Sequence, residues 1–305
     1  MMDFTLISYK SLLNTLIDQG FSLSPFEEFF SSFKRRAIVL RHDVDSLPAN
    51  SLIFAGILAE KGIKGTFYFR IVPESFDEDI IKEIAGFGHE IGYHYEDLSF
   101  AWAKLKAQGA GHRAQEEELE KKTVDIGIDS FNMNLEKFRK IVPVKTICMH
   151  GSPMSRWDSR LLWKYFDYKD FGIVGEPYFD INFDEVLYLT DTGRRWDGGA
   201  VSVRDKGLGI KNKGLVEDIY EGWKVKPVSG SLMNMTPESI DFQNQFKFRS
   251  TFDIIKAAER GELPDKMMMT FHPQRWTDKT VPWVKELAWQ NVKNVVKYFL
   301  VKLRE

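Results

Sequence analysis

The chain has a single cysteine, Cys148, in 305 residues, so no intrachain disulfide can form and a disulfide-stapled secreted scaffold is excluded. It also lacks a basic run. Lys and Arg number 42 against 44 Asp and Glu, a formal net charge of -2, so nothing marks a nucleic-acid footprint and polyanionic partners are not favoured. No apolar run approaches the ~20 residues of a membrane-spanning helix. The start, Met1-Met2-Asp3-Phe4-Thr5, has neither the basic residues nor the apolar centre of a signal peptide, so a cytoplasmic protein is expected. What is present is ordinary for a globular chain: 43% hydrophobic and 28% charged residues, with enough length to bury a large core. Cys148 sits in the apolar run Thr146-Ile147-Cys148-Met149 and reads as a buried structural thiol.

The hydrophobic pattern predicts repeated β/α winding in one domain spanning 1–305, with 1–36 as a helical extension. Phe4 to Ile17 has helical spacing, and Ser24-Pro25 before Phe26-Glu27-Glu28 reads as the start of a second helix. Strands are expected at Ala37 to Leu40, Gly65 to Ile71, His89 to Tyr93, Lys145 to Met149, Phe171 to Val174, Val186 to Thr190 and Lys266 to Phe271. Helices are expected at about Ala49 to Lys61, Glu78 to Phe87, His112 to Ile126, Asn134 to Ile141 and Val281 to Leu303. Trp196 to Lys247, rich in Gly, Asn, Ser and Lys, reads as long loops with short helices. Seven strands in this alternation point to a (β/α) barrel.

The polar residues fall at the ends of these runs. Ala37-Ile38-Val39-Leu40 leads to Arg41, His42, Asp43 and Asp45, and Ile91-Gly92-Tyr93 leads to His94, Tyr95 and Glu96. The later runs lead to His150, to Thr190 and Asp191, and to His272. Parallel strands deliver their C-terminal ends to one face of a barrel, so these residues should converge. Asp43 and Asp45, two apart, share a side in extended chain, whereas His42 points the other way. Two carboxylates at one mouth repel unless a cation or proton intervenes; with a divalent metal, one binds it and the other acts as base on metal-bound water. The competing reading is a turn in which Asp45-Ser46 caps the helix starting near Pro48.

His89 and His94 are five apart and fall on opposite faces. His94 is the ligand candidate, His89 a structural histidine, and Glu96 a carboxylate ligand or orienting group on the His94 side. His42 is expected to pack under the sheet, and His112 to belong to a solvated helix start. His150 and His272 each adjoin a turn sequence at the mouth, where imidazole suits either metal binding or general acid work.

These motifs resemble those of the polysaccharide deacetylases, the NodB homology group of metal-dependent carbohydrate esterases. Arg41-His42-Asp43-Val44-Asp45, then Gly65-Thr66-Phe67-Tyr68-Phe69, then Gly88-His89-Glu90-Ile91-Gly92-Tyr93-His94 follow the order and spacing of that group's Thr-Phe-Asp-Asp, Ala-Thr-Phe-Phe and Gly-His-Glu-Ile-Gly-Asn-His motifs. The resemblance is close over about Ile38 to Glu96 and looser afterward. It implies a distorted (β/α) barrel, a carbohydrate substrate, a divalent metal, typically zinc, Asp43 as base, Asp45 and His94 as ligands and His272 as acid. The family's second ligand histidine falls on Leu98 here, and its Arg-Pro-Pro-Tyr motif is replaced by His150-Gly151-Ser152-Pro153. His150 is therefore expected to complete the metal set, with Glu96 as the substitute should His150 orient Asp43 instead. Asp191-Thr192-Gly193-Arg194-Arg195-Trp196 lies where the family carries Asp-x-x-Asp-Trp, so Trp196 is a sugar-stacking candidate and Arg194 or Arg195 a partner for Asp43 or an anionic sugar group. Trp276 and Tyr93 are further aromatic candidates. The activity implied is removal of an N-acetyl or other acyl group from an amino sugar. The alternatives are a barrel metallohydrolase acting on another amide or a phosphoester, and a metal-free carbohydrate-binding relative.

Overall fold

A computed structural model of the chain describes residues 2–29, 35–109, 116–151, 157–196 and 237–302. Seven strands form one parallel sheet: β1 (Ser22–Ser24), β2 (Ala37–Val44), β3 (Thr66–Phe69), β4 (Glu90–Tyr95), β5 (Ile147–Met149), β6 (Leu187–Thr190) and β7 (Lys266–Phe271). Their order is β5-β4-β3-β2-β7-β6, with β1 beside β2. The short β1 pairs Ser22–Ser24 with Ala37–Val39, and β3 takes over from Arg41 to Val44, while β7 runs along the same strand from Ala37 to His42. The sheet curls into a half-barrel with helices around it, the arrangement of a distorted (β/α) barrel.

Between the strands lie α3 (Pro48–Glu60), α4 (Glu78–Gly86), α5 (Asp97–Ala107) and α6 (Glu116–Arg139). They are preceded by α1 (Leu6–Asp18) and the short α2 (Phe26–Phe29). In α1, Thr5 and Ser8 form a reciprocal capping box, and Tyr9, Leu12, Leu13 and Leu16 enter the core. The 1–36 segment is thus no mere helical extension: β1 belongs to the sheet, and Tyr9 bonds His42 beneath it at 3.0 Å. Three residues, two of them serine, give too little alternation for a strand to be read from sequence.

Two other expectations are corrected. The predicted pair of helices at 112–126 and 134–141 is one helix of 24 residues, α6, because Gly127 lies on its inner face against Leu98 and Leu162 without breaking it. His112 lies outside the described residues. Phe171 to Val174 is not a strand: Tyr168–Phe171 is a 3-10 turn ended by Gly172 at φ +69, and a lone bridge from Gly175 to Thr146 is the sheet contact there. Of the loop region 196–247, Pro237–Asn244 is a helix, and 197–236 lie outside the described residues.

Strand alternation sorts side chains into two layers. His42, Phe67, Tyr93 and Phe271 face the helices in the large core, whereas Val39 and Met268 point inward, where Phe26, Ile181, Phe183 and Val186 close the barrel floor. The inward residues further along the same strands are polar. Arg41, Asp43, His94, Cys148, Thr270 and His272 are all buried in this way, toward the C-terminal mouth.

Candidate metal centre

Arg41 and Asp43 share a face of β2, and the guanidinium grips the carboxylate at both oxygens, with Nε–Oδ1 2.7 Å and Nη2–Oδ2 2.6 Å. Burial opposes charge on Asp43, but Arg41 and then His94 outweigh it and hold the carboxyl below its usual range. Asp45 follows the end of the strand. It does not cap α3: the residue before that helix is Leu47, with φ 53 and no side-chain cap bond, and Pro48 occupies the first turn. The capping reading of Asp45 is therefore set aside.

His94 lies on β4 beside Cys148 of β5, and its Nδ1 donates to the Cys148 carbonyl at 2.9 Å. His150 follows β5, and its Nδ1 donates to Glu96 Oε2 at 3.1 Å. His272 follows β7, and its Nδ1 donates to Asp191 Oδ1 at 2.5 Å. A carbonyl and two carboxylates can only accept, so each imidazole carries its proton on Nδ1 when neutral and offers the Nε2 lone pair. All three Nε2 atoms turn to Asp45. His94 and His150 stand 3.7 and 3.6 Å from Oδ1, and His272 stands 3.8 Å from Oδ2.

Asp45, His94 and His150 offer ligand atoms all within 4.8 Å of one another. Asp45 Oδ1 is buried and has no hydrogen-bond partner, a costly state for a carboxylate oxygen unless a cation satisfies it. Its other oxygen accepts from Gln274 Nε2 at 3.1 Å. Burial works against the Asp45 charge, but His272, His150 and His94 around it hold its pKa well below the ordinary value. Desolvation, partly offset by Asp43, pushes His94 down to about 4, so its imidazole is neutral and free to ligate near pH 7. One carboxylate and two imidazoles that present Nε2, with an orphaned oxygen between them, could hold a divalent ion.

Two neighbouring groups hold this set in place. Arg70 binds Glu96 through Nε at 2.6 Å and reaches the Asp45 carbonyl with Nη1 at 3.2 Å. Glu96 thereby faces His150 as an orienting group, and it is not among the atoms that surround Asp45 Oδ1. Asp191, fully buried, accepts from the His272 backbone N–H, from Arg275 and from Trp276 Nε1 as well as from the His272 ring. Its charge is opposed by burial and held chiefly by His272.

The aromatic and arginine candidates fall elsewhere. Tyr93 points into the helix layer and donates to Asp97 at 2.6 Å. Trp196 is buried against Phe4 and bonds Thr251, while Trp276 is buried against Tyr9 and Phe54 and bonds Asp191. These three rings pack the core and offer no face to a sugar. Arg194 bonds the backbone of Trp283 and Asp3, and Arg41 takes the place beside Asp43 foreseen for Arg194 or Arg195. Arg195 is half-buried. His89 is structural, bonded to Gly65 and the Ala55 carbonyl, and His42 packs between Phe67 and Phe271.

Arg41, Arg70, Asp191 and Gln274 were not assigned roles from sequence. For Arg41 a signal existed, since i and i+2 share a strand face; the reach of Arg70 and Gln274 depends on how β3 and the turn after β7 fold over the mouth. No protein-family model matches the chain, and no match was found among curated proteins or solved structures.

Proposed function

We propose that the protein is a metal-dependent hydrolase that removes an N-acetyl or other acyl group from an amino sugar or its polymer. The observation that carries this reading is the orphaned Asp45 Oδ1 facing the Nε2 atoms of His94 and His150, with Asp43 beside it and His272 across from it. Asp45, His94 and His150 would hold the ion. A bound zinc supplies a polarising charge and lowers the pKa of water to about 7.

Arg41 keeps Asp43 ionised, so the carboxylate stands ready to accept a proton from an attacking water. The same pairing makes Asp43 a weak base, so it serves where the water is already acidified. His272, fixed through Nδ1 by Asp191, presents Nε2 to the opposite side of Asp45, where it can carry a proton to a departing amine. An acid and a base set apart by opposite partners, Asp191 and Arg41, is the division of labour that amide hydrolysis requires.

Acetate release from chitin oligosaccharides and peptidoglycan fragments, with phosphate release from phosphoesters measured in parallel, tests the reading. Acetate release by the wild type and none by Asp43→Asn is expected. Phosphate release alone would identify another metallohydrolase, and metal retention without any turnover would leave a binding protein.

A further inference from the structure

Cys148 does not lie in the helix-facing core where an apolar run would place a packing thiol. It shares the inward face of β5 with His150 and sits beside His94 in register. Its Sγ, an oxygen of Asp43 and a ring nitrogen of His94 all lie within 4.8 Å of one another, and all three residues are buried. Asp43 Oδ2 is 3.7 Å from His94 Nε2, the same separation that His94 keeps from Asp45 Oδ1. With metal bonds of ~2.0–2.3 Å to nitrogen, oxygen and sulfur, tetrahedral ligands stand roughly 3.3–3.8 Å apart, so a small inward closure suffices.

We propose that Asp43, His94 and Cys148 form a second, inner metal position for thiophilic divalent ions, mutually exclusive with the outer one because both use His94 Nε2. On binding, the S–H bond breaks, a sulfur–metal bond forms and one proton leaves to solvent. Filling the inner position therefore adds one net positive charge to the buried site, since a divalent ion replaces the thiol proton. Arg41, on the inward face of β2 with Asp43, carries a buried Nη1 that has no hydrogen-bond partner, a cation available to a thiolate at this position. Thiolate favours cadmium and similar soft ions over magnesium or calcium. An ion seated there occupies Asp43 and His94 together.

The position is independent of the acyl-hydrolase reading and is tested on the full chain. Metal-free protein is titrated with cadmium and followed by the sulfur-to-metal charge-transfer absorption in the ultraviolet. The band is expected in the wild type and in His150→Ala, and its loss is expected in Cys148→Ser. X-ray absorption of cadmium-loaded wild type, which needs no variant to fold, should report a sulfur neighbour. Cadmium retained with only nitrogen and oxygen neighbours, or not retained at all, would overturn the inner position. A cadmium–sulfur signal in a protein that never takes up zinc would instead sink the outer assignment and leave this one standing.

Discussion

Glu96 Oε2 accepts the Nδ1 proton of His150 at 3.1 Å, and this bond turns His150 Nε2 toward Asp45. It is the link by which β5 supplies a ligand that the turn after β4 does not. Leu98, where the related motif has histidine, lies within α5, fully buried and packed against Gly127 of α6. Its side chain is committed to the core.

Glu96→Gln should therefore weaken metal binding by ~10–100-fold, the usual effect of losing a carboxylate behind a ligating histidine. Arg70→Met should act in the same direction by releasing Glu96. Competition with a chelator checks both, and unchanged affinity in Glu96→Gln would show that His150 needs no such support.

Arg41→Met leaves Asp43 buried and unpaired, since both oxygens rely on the guanidinium. Breaking a buried pair from one side costs about 3–5 kcal/mol, so denaturant unfolding should shift by that order. Asp43→Asn, which keeps the shape and one hydrogen bond, should cost less stability while abolishing turnover.

Gly92 pairs with Tyr68 across β3 and β4, and an added Cβ would lie 2.2 Å from the Tyr68 ring and 3.0 Å from the Thr146 carbonyl. Tyr68 in turn lies over Arg41, with the ring centre 5.7 Å from Cζ. Gly92→Ala should cost about 1–3 kcal/mol by overpacking, read from the thermal midpoint, and Tyr68→Phe should not relieve it because the ring itself is struck.

Acid should loosen the fold partly through His42. Burial, partly offset by a bond to the Thr66 carbonyl, pushes its pKa from 6.5 down to about 3. The unfolded chain thus takes up this proton more readily, so the stability is full above about 6.5 and is lost progressively as pH falls toward 3. Glu176, pushed up to about 8 by burial, tilts stability the opposite way between pH 4.5 and 8. Comparing urea midpoints of wild type and His42→Asn cancels that contribution; the variant should show a flatter decline between pH 6.5 and 4.5.

The barrel and the mouth were legible because alternation and strand ends encode both. Asp43, Asp45, His94, His150 and His272 each end or follow an apolar run; parity set His42 apart from them, and parity together with its place at the strand start set His89 apart. Parity also spoke against Tyr93, one residue from His94 and hence on the other face. The indole roles were not legible: whether Trp196 and Trp276 face solvent or Phe4 depends on where the N-terminal segment docks. Nor was a role for Cys148: parity sets it on the His150 side, but its apolar run reads as packing.

Whether Asp45, His94 and His150 together hold a divalent ion is read by elemental analysis after exhaustive dialysis against zinc-free buffer. One zinc per chain in the wild type and in Cys148→Ser, lost when Asp45→Asn or His150→Ala is added to Cys148→Ser so that the inner position cannot keep the ion, is the predicted result; zinc retained undiminished in Cys148→Ser/His150→Ala, or absent from the wild type after zinc loading, would contradict it.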